Sequence, residues 1–201
     1  HCHLKMRLEM VDGELVQKRC DDAKVIINEY QLESKPDRDF FQKQSPTGEY
    51  FFYEVECVLN GKFSELPADS IHVKTARSIA GLNDGTKDMV YYIDTDFETG
   101  TNTVSSEPGH WEGSFFIEDW DAITITFQDA VRILKSQAIL DLPASDKCTF
   151  RHPMGNVPHP LYIFGSSQAK PFVGVDAVTG QIGTLKSIGM SGLSEQFIVE
   201  P

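Results

Sequence analysis

Residues 169–183, AKPFVGVDAVTGQIG, decide how the rest of the chain is read. Phe172, Val173 and Val175 are strand formers, and Gly174 stands where a side chain would otherwise project. An Asp side chain can bond its own backbone two residues on, and Gly takes a positive φ without strain. Asp176-Ala177-Val178-Thr179-Gly180 therefore predicts a tight reversal between antiparallel strands. Before it, Leu161-Tyr162-Ile163-Phe164 predicts the preceding strand, and residues 165–171 are rich in turn formers.

Further upstream, Thr126 is suited to cap a helix, with Asp129 at the third helical position. Phe127, Ala130, Val131, Leu134 and Ala138 recur at helical spacing. The order helix, strand, strand, turn, strand predicts an α+β fold in which one helix packs on a small antiparallel sheet.

The Thr126-Phe127-Gln128-Asp129-Ala130-Val131 helix start, the Leu161–Phe164 strand and the turn at 173–180 together resemble the PepSY family. In that family a Ser/Thr-capped helix with an early Ala precedes strands that end in a V-D-A-x-T-G turn. The likeness spans residues 123–186, about a third of the chain. The insert at 151–160, RHPMGNVPHP, departs from the family's short hairpin. The resemblance implies a non-enzymatic propeptide or accessory module that binds and restrains peptidases, or a periplasmic regulatory module.

A chain of 201 residues is long enough for one large domain or two small ones. Its net charge of −12 argues against a nucleic-acid partner, whose phosphates demand a basic face, and permits a basic protein surface. No apolar run approaches the roughly 20 residues of a membrane-spanning helix. His1 in place of Met suggests an extracytoplasmic protein, periplasmic, secreted or on the surface, with its leader removed. Cys2, Cys20, Cys57 and Cys148 show no metal-binding spacing, so buried free thiols or one bridge of undetermined pairing are expected.

In the first half, residues 4–10 alternate as a half-buried strand. Val16, Cys20, Ala23, Ile27 and Tyr30 predict an amphipathic helix over 14–30, against the hairpin preference of Asp12-Gly13. Residues 32–48 read as a loop, 49–59 as a strong strand ending at an Asn60-Gly61 hairpin, 68–81 as a helix and 88–97 as a strand. Ile93-Asp94 followed by Thr99-Gly100 echoes Val175-Asp176 followed by Thr179-Gly180, with two residues inserted. Two readings stand: two related α+β units in tandem, 1–105 and 106–201 with the boundary in 101–113, or an unrelated β-rich first domain.

No motif carries catalysis. Gly-x-Ser-x-Gly and phosphate-loop patterns are absent, and the residues after Asp94 fail the calcium-loop positions. His110, His152 and His159 lack ligand spacing, while His3 could serve copper only at a true amino terminus. No catalytic, cofactor or metal residue is assigned. Trp111, Phe116 and Trp120, framed by acids, are the candidate partner contacts, whereas Phe115 and Ile117 fit one buried strand face. The expectation is a protein-binding module; the alternatives are a carrier of cystatin-like shape with a cavity between helix and sheet, or a subunit of a surface assembly.

Overall fold

Val55, Cys57 and Leu59 are buried, while Glu56 between them is exposed, and this alternation marks the two faces of the molecule. The computed structural model describes residues 7–11, 14–18, 49–83, 88–119, 122–138, 141–165, 172–188 and 194–200. Strands β1 (Arg7–Val11) and β2 (Glu14–Lys18) form a separate antiparallel hairpin. Then come β3 (Glu49–Leu59), β4 (Val73–Asn83), β5 (Asp88–Asp96) and β6 (Thr101–Pro108). Helix α1 (Phe127–Ser136) leads to β7 (Lys147–Arg151), β8 (Leu161–Phe164), β9 (Phe172–Asp176), β10 (Ile182–Ile188) and β11 (Ser194–Val199).

Strands β3 to β11 make one sheet in the order β11-β10-β9-β8-β7-β3-β4-β5-β6, antiparallel at every step. This overturns the expectation of an α+β fold with a helix on a small sheet, or two such units in tandem. The three expected strands exist as β8, β9 and β10, but β11 adds to one side, β7 to the other and β3 pairs with β7, so the protein is predominantly β. The unpaired N–H and C=O groups of β7 are satisfied by a long strand from the first half instead of by solvent. Val55, Cys57, Phe150 and Tyr162 then share one core with helix α1.

The helix packs as the spacing of its first four apolar positions dictates, whereas Ala138 lies beyond its end and is exposed. Phe127, Ala130, Val131 and Leu134 are fully buried against Phe63, Phe150, Tyr162 and Phe164. Burying each large side chain contributes about 1.5–3 kcal/mol. Thr126 and Asp129 form a reciprocal capping box. The Asp176–Gly180 turn docks the chain entering the helix: Thr124 and Ile125 N–H both donate to Ala177 O, at 3.1 and 3.0 Å. Tyr162 O–H donates to Ile125 O at 2.7 Å.

Two expected helices are strands. Residues 68–81 hold a short 3-10 turn, Ala68–Ser70, and then β4. Val73, Ala76, Ile79 and Ala80 mimic a helical stripe because Ser78 to Gly81 are buried on both faces, which erases the period of two. In 14–30, residues 14–18 pair with β1, so an available partner strand prevails there; residues 12–13 and 19–30 lie outside the described residues, as do 32–48. Residues 101–108, expected within a boundary, form β6. Asn60 does not open a two-residue hairpin; its side chain bonds Ser70 O and His72 N–H and closes a longer loop.

The face away from α1 is concave. Arg151 on β7 reaches Glu195 on β11, and Gly155 forms a parallel bridge with Glu195, so β7 to β11 curl toward closure. Gly174 and Gly183 permit this, since the Phe197 ring occupies the space that their side chains would fill. Val157, Leu161, Ile163 and Leu185 form the second, smaller core inside the curl. Cys57 and Cys148 lie opposite each other across β3 and β7 as buried free thiols, and burial pushes Cys57 up to about 12. No helix among the described residues is long and apolar enough to cross a membrane.

Candidate functional site

After β6 the chain leaves the sheet edge and crosses the concave face. Gly109 N–H donates to Asp88 O at 3.0 Å, and His110 Nε2 lies 2.9 Å from Asp88 Oδ2. The Trp111 ring meets Tyr92 of β5 edge-on at 6.3 Å. A side chain at Gly113 would strike that indole, so glycine lets the backbone fold beneath it. Phe115 then pairs with His152, its N–H donating to His152 O at 2.9 Å, and their rings lie 5.6 Å apart. Ile117 N–H donates to Phe52 O at 2.8 Å, and its side chain enters the main core.

Beneath this crossing segment lies Glu54, 4% exposed, with Ile79 and Arg151 as its register partners. A bulge at Tyr53 resets the strand so that Phe52 and Val55 both serve the core while Glu54 turns to the concave side. Ser114 and Trp111 lie against the Glu54 carboxylate and favour its charged form, and the Trp111 indole donates to Ser114 Oγ at 3.2 Å. The Arg151 guanidinium is engaged by Glu195, at 2.7 and 2.5 Å, and makes a longer contact of 3.4 Å to Gly113 O. Burial pushes Glu54 up to about 7; Arg151, Ser114 and Trp111 act in the opposite direction and do not overcome the desolvation.

The outer surface of the segment is aromatic. Phe115 is 44% and Phe116 38% exposed, among acids Glu112, Glu118 and Asp119 that are also exposed. Of the expected contacts, Phe116 is presented to solvent, Trp111 is half-buried against Tyr92, and Trp120 lies outside the described residues. Phe115 and Ile117 do not share a buried face: Ile117 is buried and Phe115 is not. Glu54, Arg151 and Glu195 were not legible as a cluster, because three separate elements supply them. The one local signal was an acid inside the apolar run EYFFYEVECVL.

Beyond the segment, a groove of about 620 Å³ opens on the same face, lined by Glu56, Arg77, Asp94, Lys147 and Phe172 among others. Arg77 is held by both oxygens of Asp94, at 2.7 and 2.9 Å, and stacks 5.4 Å over Tyr92. The histidines are not gathered: His110 meets Asp88, His152 meets Phe115, and His159 meets Asp176 at 2.8 Å. Among the described residues no group of three His, Cys, Asp or Glu side chains is placed to hold a metal ion. His3 lies outside the described residues. Comparison with protein-family models, with curated proteins and with solved structures gives no match.

Proposed function

We propose that the chain is a non-enzymatic, PepSY-like protein-binding module that works outside the cytoplasm and restrains or regulates a peptidase or another secreted partner. The observation that carries this reading is the exposure of Phe115 and Phe116 on a backbone pinned at both Phe115 N–H and Ile117 N–H. Large aromatics held by a fixed backbone lose little entropy on binding, which suits them as interface anchors. Glu112, Glu118 and Asp119 around them, with a net charge of −12, favour a partner whose apolar pocket has a basic rim. The aromatic packing of Phe127, Tyr162 and Phe164 fills space that a cystatin-shaped carrier would leave for a ligand. That weighs toward binding through the surface.

The test is inhibition. The full chain, added to peptidases secreted by its own source, is expected to slow at least one of them at stoichiometric ratio. A Phe115→Ala/Phe116→Ala double variant of unchanged stability should lose that effect. A wild-type chain that neither binds nor slows any such peptidase, or a double variant that inhibits equally well, would overturn the reading.

A further inference from the structure

The segment at 109–117 lies over a carboxylate that has no counter-ion of its own among the described residues. Glu54 is buried beneath the segment, with Ser114, itself buried, and Trp111 beside its carboxylate, and its register partner Arg151 reaches Gly113 O. The cation beside it, Arg151, is already engaged by both oxygens of Glu195. The groups facing Glu54 from the surrounding elements are Arg151 of β7, Glu195 of β11 behind it, Ile79 of β4, and Ser114 and Trp111 of the segment, with Glu56 on its own strand. Among the described residues, closing the segment therefore desolvates one carboxylate more than the local positive charge compensates.

We propose that residues 109–117 form a pH-sensitive clasp, closed over the concave face while Glu54 is protonated and released more readily once Glu54 ionises. This goes beyond the proposed binding role and does not depend on any partner. It matters to that role because Phe115 and Phe116 ride on the segment.

The sign follows from linkage. With the segment closed, burial holds Glu54 up to about 7; with the segment lifted, water reaches the carboxylate and its value returns toward 4.5. Raising the pH between those values therefore favours the lifted state, and above about 7 the bias no longer grows. The gap corresponds to a change in the lifting equilibrium of at most roughly 300-fold. A second contact acts at the far end of the segment, where His110 forms an ion pair with Asp88 only when protonated. His110 is therefore varied alongside Glu54.

Amide hydrogen exchange reads the clasp directly, because the N–H groups of Phe115 and Ile117 bond across to His152 and Phe52. After correction for intrinsic rates, protection at these two amides should fall on the order of 100-fold between about pH 4.5 and pH 8. Protection at Val55 and Ile163, inside the sheet, should not follow. Glu54→Gln should abolish most of the fall, and His110→Gln should leave most of it in place. Wild-type protection independent of pH, or a fall that survives Glu54→Gln, would overturn the clasp. Should Glu54→Gln not fold, carboxyl NMR of the wild-type Glu54 decides: a midpoint near 7 supports the clasp and an ordinary carboxylate midpoint refutes it.

Discussion

Asp96 and Asp176 hold the same five-residue turn by the same bonds. Each Oδ1 accepts two backbone N–H groups, from Glu98 and Thr99 in one turn and from Val178 and Thr179 in the other. Gly100 and Gly180 both take positive φ, 69° and 74°, and both donate back to the Asp carbonyl. The echo in the sequence is therefore Asp-x-x-Thr-Gly without insertion, and Asp94, which first suggested it, instead binds Arg77. Burial separates the consequences. Asp176 is 2% exposed and also meets His159, so Asp176→Ala removes the acceptor of three part-buried bonds and should cost about 1–3 kcal/mol in urea unfolding. Asp96→Ala, in the more exposed copy, should cost clearly less, and equal losses would refute the argument. Glu54 supplies a pH dependence of unusual sign. The folded chain holds its proton up to about 7, whereas the unfolded chain releases it near 4.5. Stability should fall by up to about 3 kcal/mol as pH rises through that window, and Glu54→Gln should flatten the profile of urea midpoints.

Helix α1 was legible because every local signal agreed on it. Its apolar positions recur at helical spacing, its cap is Thr126, and the single face it buries meets a core on one side only. Thr126→Ala removes the hydroxyl arm of the capping box, leaving the backbone N–H at 126 bonded to Asp129, and should cost about 1 kcal/mol. Leu134→Ala opens a cavity in the core and should cost about 2–5 kcal/mol, with thermal and urea unfolding in agreement. A loss at Leu134 no larger than that at Thr126 would mean that the helix does not bear on the core. Strand β4 was illegible for the opposite reason. Its burial is set in part from distant sequence, since Val73 and Ala76 enter the core that α1 closes. A single strand's own residues do not record which layers will cover it. The same limit hid the Glu54 site, since Arg151 reaches it through the β3–β7 pairing, Glu195 through the curl of β7 to β11 and Ser114 through the path of 109–117.

At the scale of the molecule, the β3–β7 ladder is the feature with the widest consequences. It joins strands from the two halves at the centre of the sheet, and outward from it β4, β5 and β6 mirror β8, β9 and β10. Turns of the same Asp-x-x-Thr-Gly form close the corresponding hairpins on either side. The main core mixes residues of both halves: Phe52, Val55, Cys57 and Phe63 pack with Phe127, Phe150, Tyr162 and Phe164. Such a shared core gives neither half a complete apolar interior of its own. Scanning calorimetry of the intact chain should therefore show one transition across β3 to β11, with calorimetric and van't Hoff enthalpies equal. Residues 1–105 and 106–201 produced separately should each give the collapsed NMR dispersion of an unfolded chain, because cutting there strips β7 of its ladder partner and α1 of half its packing surface. Two resolved transitions, or a folded isolated half, would instead mean that the ladder joins two self-sufficient cores.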